Sequence, residues 1–160
     1  MRIAIKLADG AKMPKRMTAG AVGYDLCAMD SMVIMPDEVR LIKTGVFVEL
    51  PEGVEMQIRP RSGLSLKYDV VTVLGTIDSD YRGEIGVIMR NNGKEGFAIG
   101  AGDRVAQAVF SKVELPELEQ VQEIGETKRG SGGFGHTGIV AEQAKELERL
   151  VKQVMRNNGI

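Results

Sequence analysis

Short apolar or alternating runs recur along this chain, each soon cut off by Gly, Pro or Asp, and this limits what it can fold into. The runs are Ile3 to Leu7, Met32 to Met35, Val39 to Ile42, Val46 to Leu50, Val54 to Ile58, Val70 to Leu74, Ile85 to Met89 and Arg104 to Phe110. Many short strands without alternating helices predict an all-β sandwich, jelly roll or barrel. The exception comes last. Val140, Ala144, Leu147, Val151 and Val154 step by four and three with Glu and Lys between them, which predicts an amphipathic helix.

At 160 residues the chain is expected to form one domain with a real core. A net charge of −1 and a pI near 5.9 argue against general nucleic-acid or membrane binding, since no basic patch stands out. No apolar run is long enough to span a bilayer, and Met1-Arg2-Ile3-Ala4-Ile5-Lys6 lacks a signal-peptide core. The lone Cys27 fits a reducing compartment, so the expected location is cytoplasmic. With His136 the single histidine, a His/Cys zinc site has no basis. Any metal is expected to be a hard, oxygen-bound ion such as Mg²⁺.

The segment Arg129-Gly130-Ser131-Gly132-Gly133-Phe134-Gly135-His136-Thr137-Gly138 is too rich in glycine to be core. Its backbone N–H groups are free to close around a ligand. Arg129 offers a forked cation, Phe134 a flat face and Thr137 a hydroxyl, a set that fits a nucleotide polyphosphate. A flexible linker would have no need of an arginine and a phenylalanine placed among the glycines.

Four further segments carry related chemistry. Ala19-Gly20-Ala21-Val22-Gly23-Tyr24-Asp25-Leu26 puts an acid at the mouth of a strand. Pro60-Arg61-Ser62-Gly63-Leu64 reads as a tight turn able to direct donors at one anion. Gly75-Thr76-Ile77-Asp78-Ser79-Asp80-Tyr81-Arg82-Gly83 packs two acids and a tyrosine into one loop, and Gly102-Asp103-Arg104-Val105-Ala106-Gln107 enters a strand through a Gly-Asp turn. Each alone has a plain structural reading, because Gly-Asp is a common turn and an arginine can form a surface ion pair. In this order they resemble the five motifs of the trimeric deoxyuridine triphosphatases (dUTPases), over a stretch from about Lys6 to Gly138.

The resemblance implies a jelly-roll-like β fold, a homotrimer with active sites at subunit interfaces, and hydrolysis of dUTP to dUMP and pyrophosphate with Mg²⁺. It places Asp78 as the catalytic acid that orients a water for in-line attack on the α-phosphorus. Thr76 and Ile77 fall on the substrate, and Tyr81 packs under the deoxyribose. Asp25 corresponds to the acid that reaches Mg²⁺ through its water shell. Arg61, Ser62, Gly63 and Gln107 correspond to phosphate contacts. In the tail Arg129 and Thr137 correspond to outer-phosphate contacts and Phe134 to the base stack, with Gly135 beside it. The implied divisions are a core over 1–128, a mobile flap over 129–138 and a helical extension over 139–160.

Some positions depart from the family. Six residues ahead of Asp78, where the family usually has a uracil-reading asparagine, stands Thr72, and the hairpin from Leu66 to Leu74 is a couple of residues short. Uracil would then be read by backbone groups. His136 stands where serine is usual. Three alternatives stay open: a pyrophosphatase of relaxed base specificity, a dCTP deaminase-like enzyme and a non-catalytic nucleotide sensor. Deaminases of this fold carry a glutamate ten residues after the loop aspartate, and here that residue is Ile88. Family chains usually end soon after the glycine-rich motif. The extra helix is expected either to fray or to dock on the trimer and tether the flap.

Overall fold

A computed structural model describes residues 1–133 and 141–157 of the chain. The chain divides into two units, Met1–Pro116 and Glu117–Ile160. The first holds strands β1 (Ala4–Leu7), β2 (Tyr24–Cys27), β3 (Met32–Ile34), β4 (Val39–Lys43), β5 (Val46–Glu49), β6 (Val54–Arg59), β7 (Val70–Thr72), β8 (Gly75–Ile77), β9 (Gly86–Asn91), β10 (Phe97–Ile99) and β11 (Arg104–Lys112). Between β6 and β7 lies a short helix, α1 (Ser62–Tyr68).

All strand pairs are antiparallel. They form a four-stranded sheet β2-β11-β6-β8, a three-stranded sheet β4-β9-β7, and the pairs β1-β5 and β10-β3. This is the jelly-roll-like β architecture expected from the sequence. Alternation places the core. In β6, Val54, Met56 and Ile58 are buried while Glu55, Gln57 and Arg59 turn the other way. Met56 and Ile58 belong to one core cluster with Leu26, Ile34, Ile42, Ile85 and Met89.

Each of the eight apolar runs holds a strand, with ends shifted by a residue or two. The run Val70 to Leu74 is cut short, and β7 ends at Thr72. There the chain leaves the three-stranded sheet and crosses to the four-stranded one as β8. The strand expected at Asp25 is β2, with Asp25 its second residue. Two strands were not foreseen: β8 opens on a glycine, and β10 is only three residues long. The turn expected over Pro60 to Leu64 is instead the entry to α1. Arg61 precedes that helix in extended backbone (φ −98°, ψ 117°), and Asp69 closes it at φ 53°. The second unit carries helix α2 (Ala141–Asn157), the amphipathic helix expected at the C-terminus. Among the described residues no helix is long and apolar enough to cross a membrane.

One buried polar residue ties the frame together. Asn91, at the end of β9, donates through Nδ2 to the Ile34 and Glu95 carbonyls at 2.9 and 2.7 Å, and its Oδ1 accepts from the Gly93 N–H at 2.9 Å. Asn91→Leu would take the side-chain partner from one buried and two part-buried backbone groups, so a stability loss of about 2–4 kcal/mol is expected in urea unfolding. A loss below about 1 kcal/mol would show that the strands hold without this bracket.

Candidate active site

The site starts at the centre of the four-stranded sheet, where β11 pairs with both β2 and β6. Gln107 of β11 lies opposite Asp25 of β2 and opposite Arg59 of β6. Directly opposed residues share a face, so Asp25, Gln107 and Arg59 project from the same side of the sheet. A regular strand would put Arg104, three residues before Gln107, on the other side. The register of β11 against β2 shifts between Arg104 and Ala106, so Val105 is an extra residue and Arg104 returns to the face of Gln107.

Two guanidinium groups then converge on one carboxylate. Arg104 Nη1 lies 3.1 Å from Asp25 Oδ2, and Arg61 Nε lies 3.6 Å from Asp25 Oδ1. Arg61 also donates through Nη1 to the Arg104 carbonyl at 2.7 Å, which fixes its head against β11. The Asp25 side chain keeps only 15% of its exposure, so the pairing is made largely out of water. Two cations on one anion leave a local excess of positive charge, which suits an anionic ligand.

Gln107 Nε2 donates to the Pro60 carbonyl at 2.9 Å and holds the entry to α1 against the sheet. Ser62 and Gly63 open that helix and are exposed, with their N–H groups at the turn that has no intrahelical acceptor. Gly23 is required here. A Cβ at that position would collide with the carboxamide of Gln107. Near the cluster, burial pushes the Cys27 thiol up from its ordinary value against the opposing pull of Lys12.

Asp78, Thr76, Ile77 and Tyr81 form a second group on the outer strand β8 and the turn after it. The Tyr81 N–H donates to the Asp78 carbonyl at 3.2 Å, and the Tyr81 hydroxyl donates to the Glu84 carbonyl at 3.0 Å. Arg82 Nη1 closes on the Ser79 and Tyr81 carbonyls at 2.7 and 2.9 Å. Gly83 leaves room for the Tyr81 ring, which a Cβ there would meet. Asp78 and Tyr81 are both exposed at the end of this braced turn. Thr72, at the departure from the family, is buried and donates through Oγ1 to the Val105 carbonyl at 3.2 Å.

Asp25, Arg61 and Gln107, named from the sequence, lie together in one cluster; Arg104 and Gly23 as its supports, and Gly83 and Glu84 as supports of the Asp78 turn, were not named. Only the bulge reveals Arg104, because simple alternation points it away. In the tail, Arg129 Nε donates to the Gly132 carbonyl at 2.8 Å, within a turn where Gly130 has φ 50°. The candidates Phe134, Gly135, His136 and Thr137 lie outside the described residues. Among the described residues no group of three or more His, Cys, Asp or Glu is placed to hold a metal.

Comparison with known proteins decides the family. The dUTPase family pattern matches residues 9–138. The chain belongs to the dUTPase family. A deoxyuridine 5'-triphosphate nucleotidohydrolase of Wolinella succinogenes is 53% identical over 137 residues, covering 84% of this chain and 91% of that protein. One from a Thermoanaerobacter species is 48% identical over 142 residues, covering 84% and 96%. A structure of the Staphylococcus bacteriophage 80alpha dUTPase with dUpNHpp superposes with a TM-score of 0.82 at 30% identity, over 86% of this chain and 99% of that one. A phage phi11 dUTPase structure, described as revealing coordination of a structural Mg(II) ion, has a TM-score of 0.73 at 31% identity, over 77% and 98%.

For this dUTPase chain the packing of Gly23 on Gln107 yields a direct expectation. Gly23→Ala should displace the carboxamide from Pro60, visible in a crystal structure of the variant. Affinity for inorganic pyrophosphate should fall by roughly 3–10-fold in calorimetry, the loss of about one hydrogen bond. Unchanged affinity would separate Gln107 from anion binding.

Proposed function

We propose that this chain hydrolyses dUTP to dUMP and pyrophosphate by attack of water on the α-phosphorus, and so limits uracil incorporation into DNA. The observation that carries this reading is the convergence of Asp25, Arg61 and Gln107 into one anion-ready cluster on a chain of this family. Arg61, with the N–H groups of Ser62 and Gly63 and with Gln107, binds the phosphates. Asp78 orients the attacking water and accepts its proton. Tyr81, with Thr76 and Ile77, receives the sugar and base. Arg129 and Thr137 reach the outer phosphates, and Phe134, next to Gly135, covers the base when the 129–138 flap closes over the 1–128 core. Charge grows on the departing pyrophosphate, and fixed cations stabilise it there more than in the ground state.

Mg²⁺ fits this donor set as an ion that arrives on the triphosphate. A single carboxylate already paired with two arginines offers no cage, but Asp25 can hold the water shell of an ion bound to phosphate oxygens. When bound, the metal neutralises phosphate charge. A cytoplasmic setting agrees with the lone Cys27.

The sheet register supports sites shared between copies in a homotrimer. β8 runs antiparallel to β6 with Ile77 opposite Met56 and Gly75 opposite Ile58. Asp78 therefore leaves β8 towards Glu55, while Arg61 follows the opposite end of β6. At the rise of a strand this separates the two by on the order of 20 Å along one chain. One copy supplies the phosphate cluster and another the Asp78 turn. An apolar surface suits such assembly. Val39, Leu41, Val73 and Ile88 are exposed on and beside the three-stranded sheet, and Leu41 lies opposite Ile88. Ile88 also stands where deamination would require a glutamate.

Asp78→Asn should retain nucleotide binding and lose roughly 10²–10⁴-fold in kcat, because the amide fills the same space but takes no proton. Pyrophosphate release from each deoxynucleoside triphosphate, with affinity measured separately, checks both halves. Near-normal turnover by the variant would remove Asp78 from the chemistry.

A further inference from the structure

β8 is three residues long and lies at the edge of its sheet, hydrogen-bonded to β6 alone. Asp78 follows its last residue, Ile77, so one side of the Asp78 turn hangs from a single short ladder. A group that meets a reacting water must be held within about 0.5 Å of its working position. An edge strand of this length is a weak support for that, and the other end of the turn has to supply the hold.

That end is tied to the connection between β4 and β5. Thr44 is buried, and its hydroxyl donates to the Ile85 carbonyl and accepts the Val46 N–H at 3.2 Å. The Ile85 N–H donates to the Val46 carbonyl at 2.8 Å. One residue earlier, Oε1 of Glu84 accepts the Gly45 N–H at 2.8 Å. Gly45 is itself fixed, since its carbonyl accepts the Ala8 N–H at 2.8 Å. Among the described residues Glu84 forms no ion pair, so its carboxylate works as a hydrogen-bond acceptor. The Glu84 carbonyl receives the Tyr81 hydroxyl, and the Tyr81 N–H closes on the Asp78 carbonyl. Hydrogen bonds thus lead from a buried knot to Asp78.

We infer that Glu84 is a positioning residue, whose carboxylate, by holding the Gly45 N–H, sets where the turn presents Asp78. This rests on the role proposed above for Asp78. The bond requires an acceptor oxygen at the reach of a glutamate and does not require its charge. Three full-length variants separate these properties. Glu84→Gln keeps acceptor and reach, and should hydrolyse dUTP within about threefold of the unmutated kcat. Glu84→Asp keeps the charge but falls one methylene short of Gly45, and Glu84→Ala removes the group. Both should lose roughly 10–10²-fold in kcat, while KM and the affinity for a non-hydrolysable dUTP analogue change less than about threefold.

All are assayed where native mass and circular dichroism match the unmutated protein. If Glu84→Ala does not fold, the contrast of Gln with Asp decides. Near-normal kcat in Glu84→Asp or Glu84→Ala would overturn the inference, as would a loss confined to KM. Glu84→Gln as slow as the others would overturn it too, by making the charge the operative property. Near-normal turnover by Asp78→Asn, assayed alongside, would instead remove the reading on which it rests.

Discussion

Strand β11 is the constraint on which the site depends. It is hydrogen-bonded on both sides, to β2 and β6, and it spans nine residues. Its core residues Val105, Ala106 and Ala108 are buried, so its register cannot slip without exposing core. The extra residue at Val105 then does two things. It turns Arg104 onto the polar face beside Asp25, and its carbonyl accepts the Thr72 hydroxyl. One bulge thus joins the charge cluster to β7, the strand before β8 and the Asp78 turn.

The other consequence of this sheet is separation. Because β8 is antiparallel to β6, the chain proposed to bind phosphate at Arg61 presents Asp78 at the opposite end. A residue that activates water must stand within hydrogen-bond reach of it, so neither end is sufficient alone. Assembly then becomes part of the proposed chemistry, and the exposed apolar residues Leu41 and Ile88 acquire a purpose that a monomer would not give them. The braced turn from Asp78 to Glu84 fits the same account. A residue offered to another copy gains from being held rigid by its own.

Much of the fold was legible because its signals are local. Alternation in β6 and the apolar runs of β4 and β9 follow directly from burial of one sheet face. β2 was legible only as the strand at whose mouth Asp25 stands, since glycines interrupt its alternation, and α1 was hidden because a seven-residue helix entered through Pro60 and Arg61 looks like a turn. Asp25, Arg61 and Gln107 could be named from the order of the motifs. Arg104 could not, since its direction depends on an irregularity in pairing that only three-dimensional register exposes. Thr72 marked a departure from the family by position, but its buried bond to Val105 is a tertiary fact.

The central claim is that Arg61 and Asp78 of different copies make one site, and subunit complementation tests it most directly. Arg61→Ala and Asp78→Asn proteins, each inactive alone, would be unfolded together and reassembled in equal amounts. Random mixing gives about a quarter of the sites an intact Arg61 from one copy and an intact Asp78 from another. The account predicts recovery of dUTP hydrolysis to about that fraction of the unmutated enzyme. Mixed assemblies, verified by native mass, that stay as inactive as their parents would contradict it.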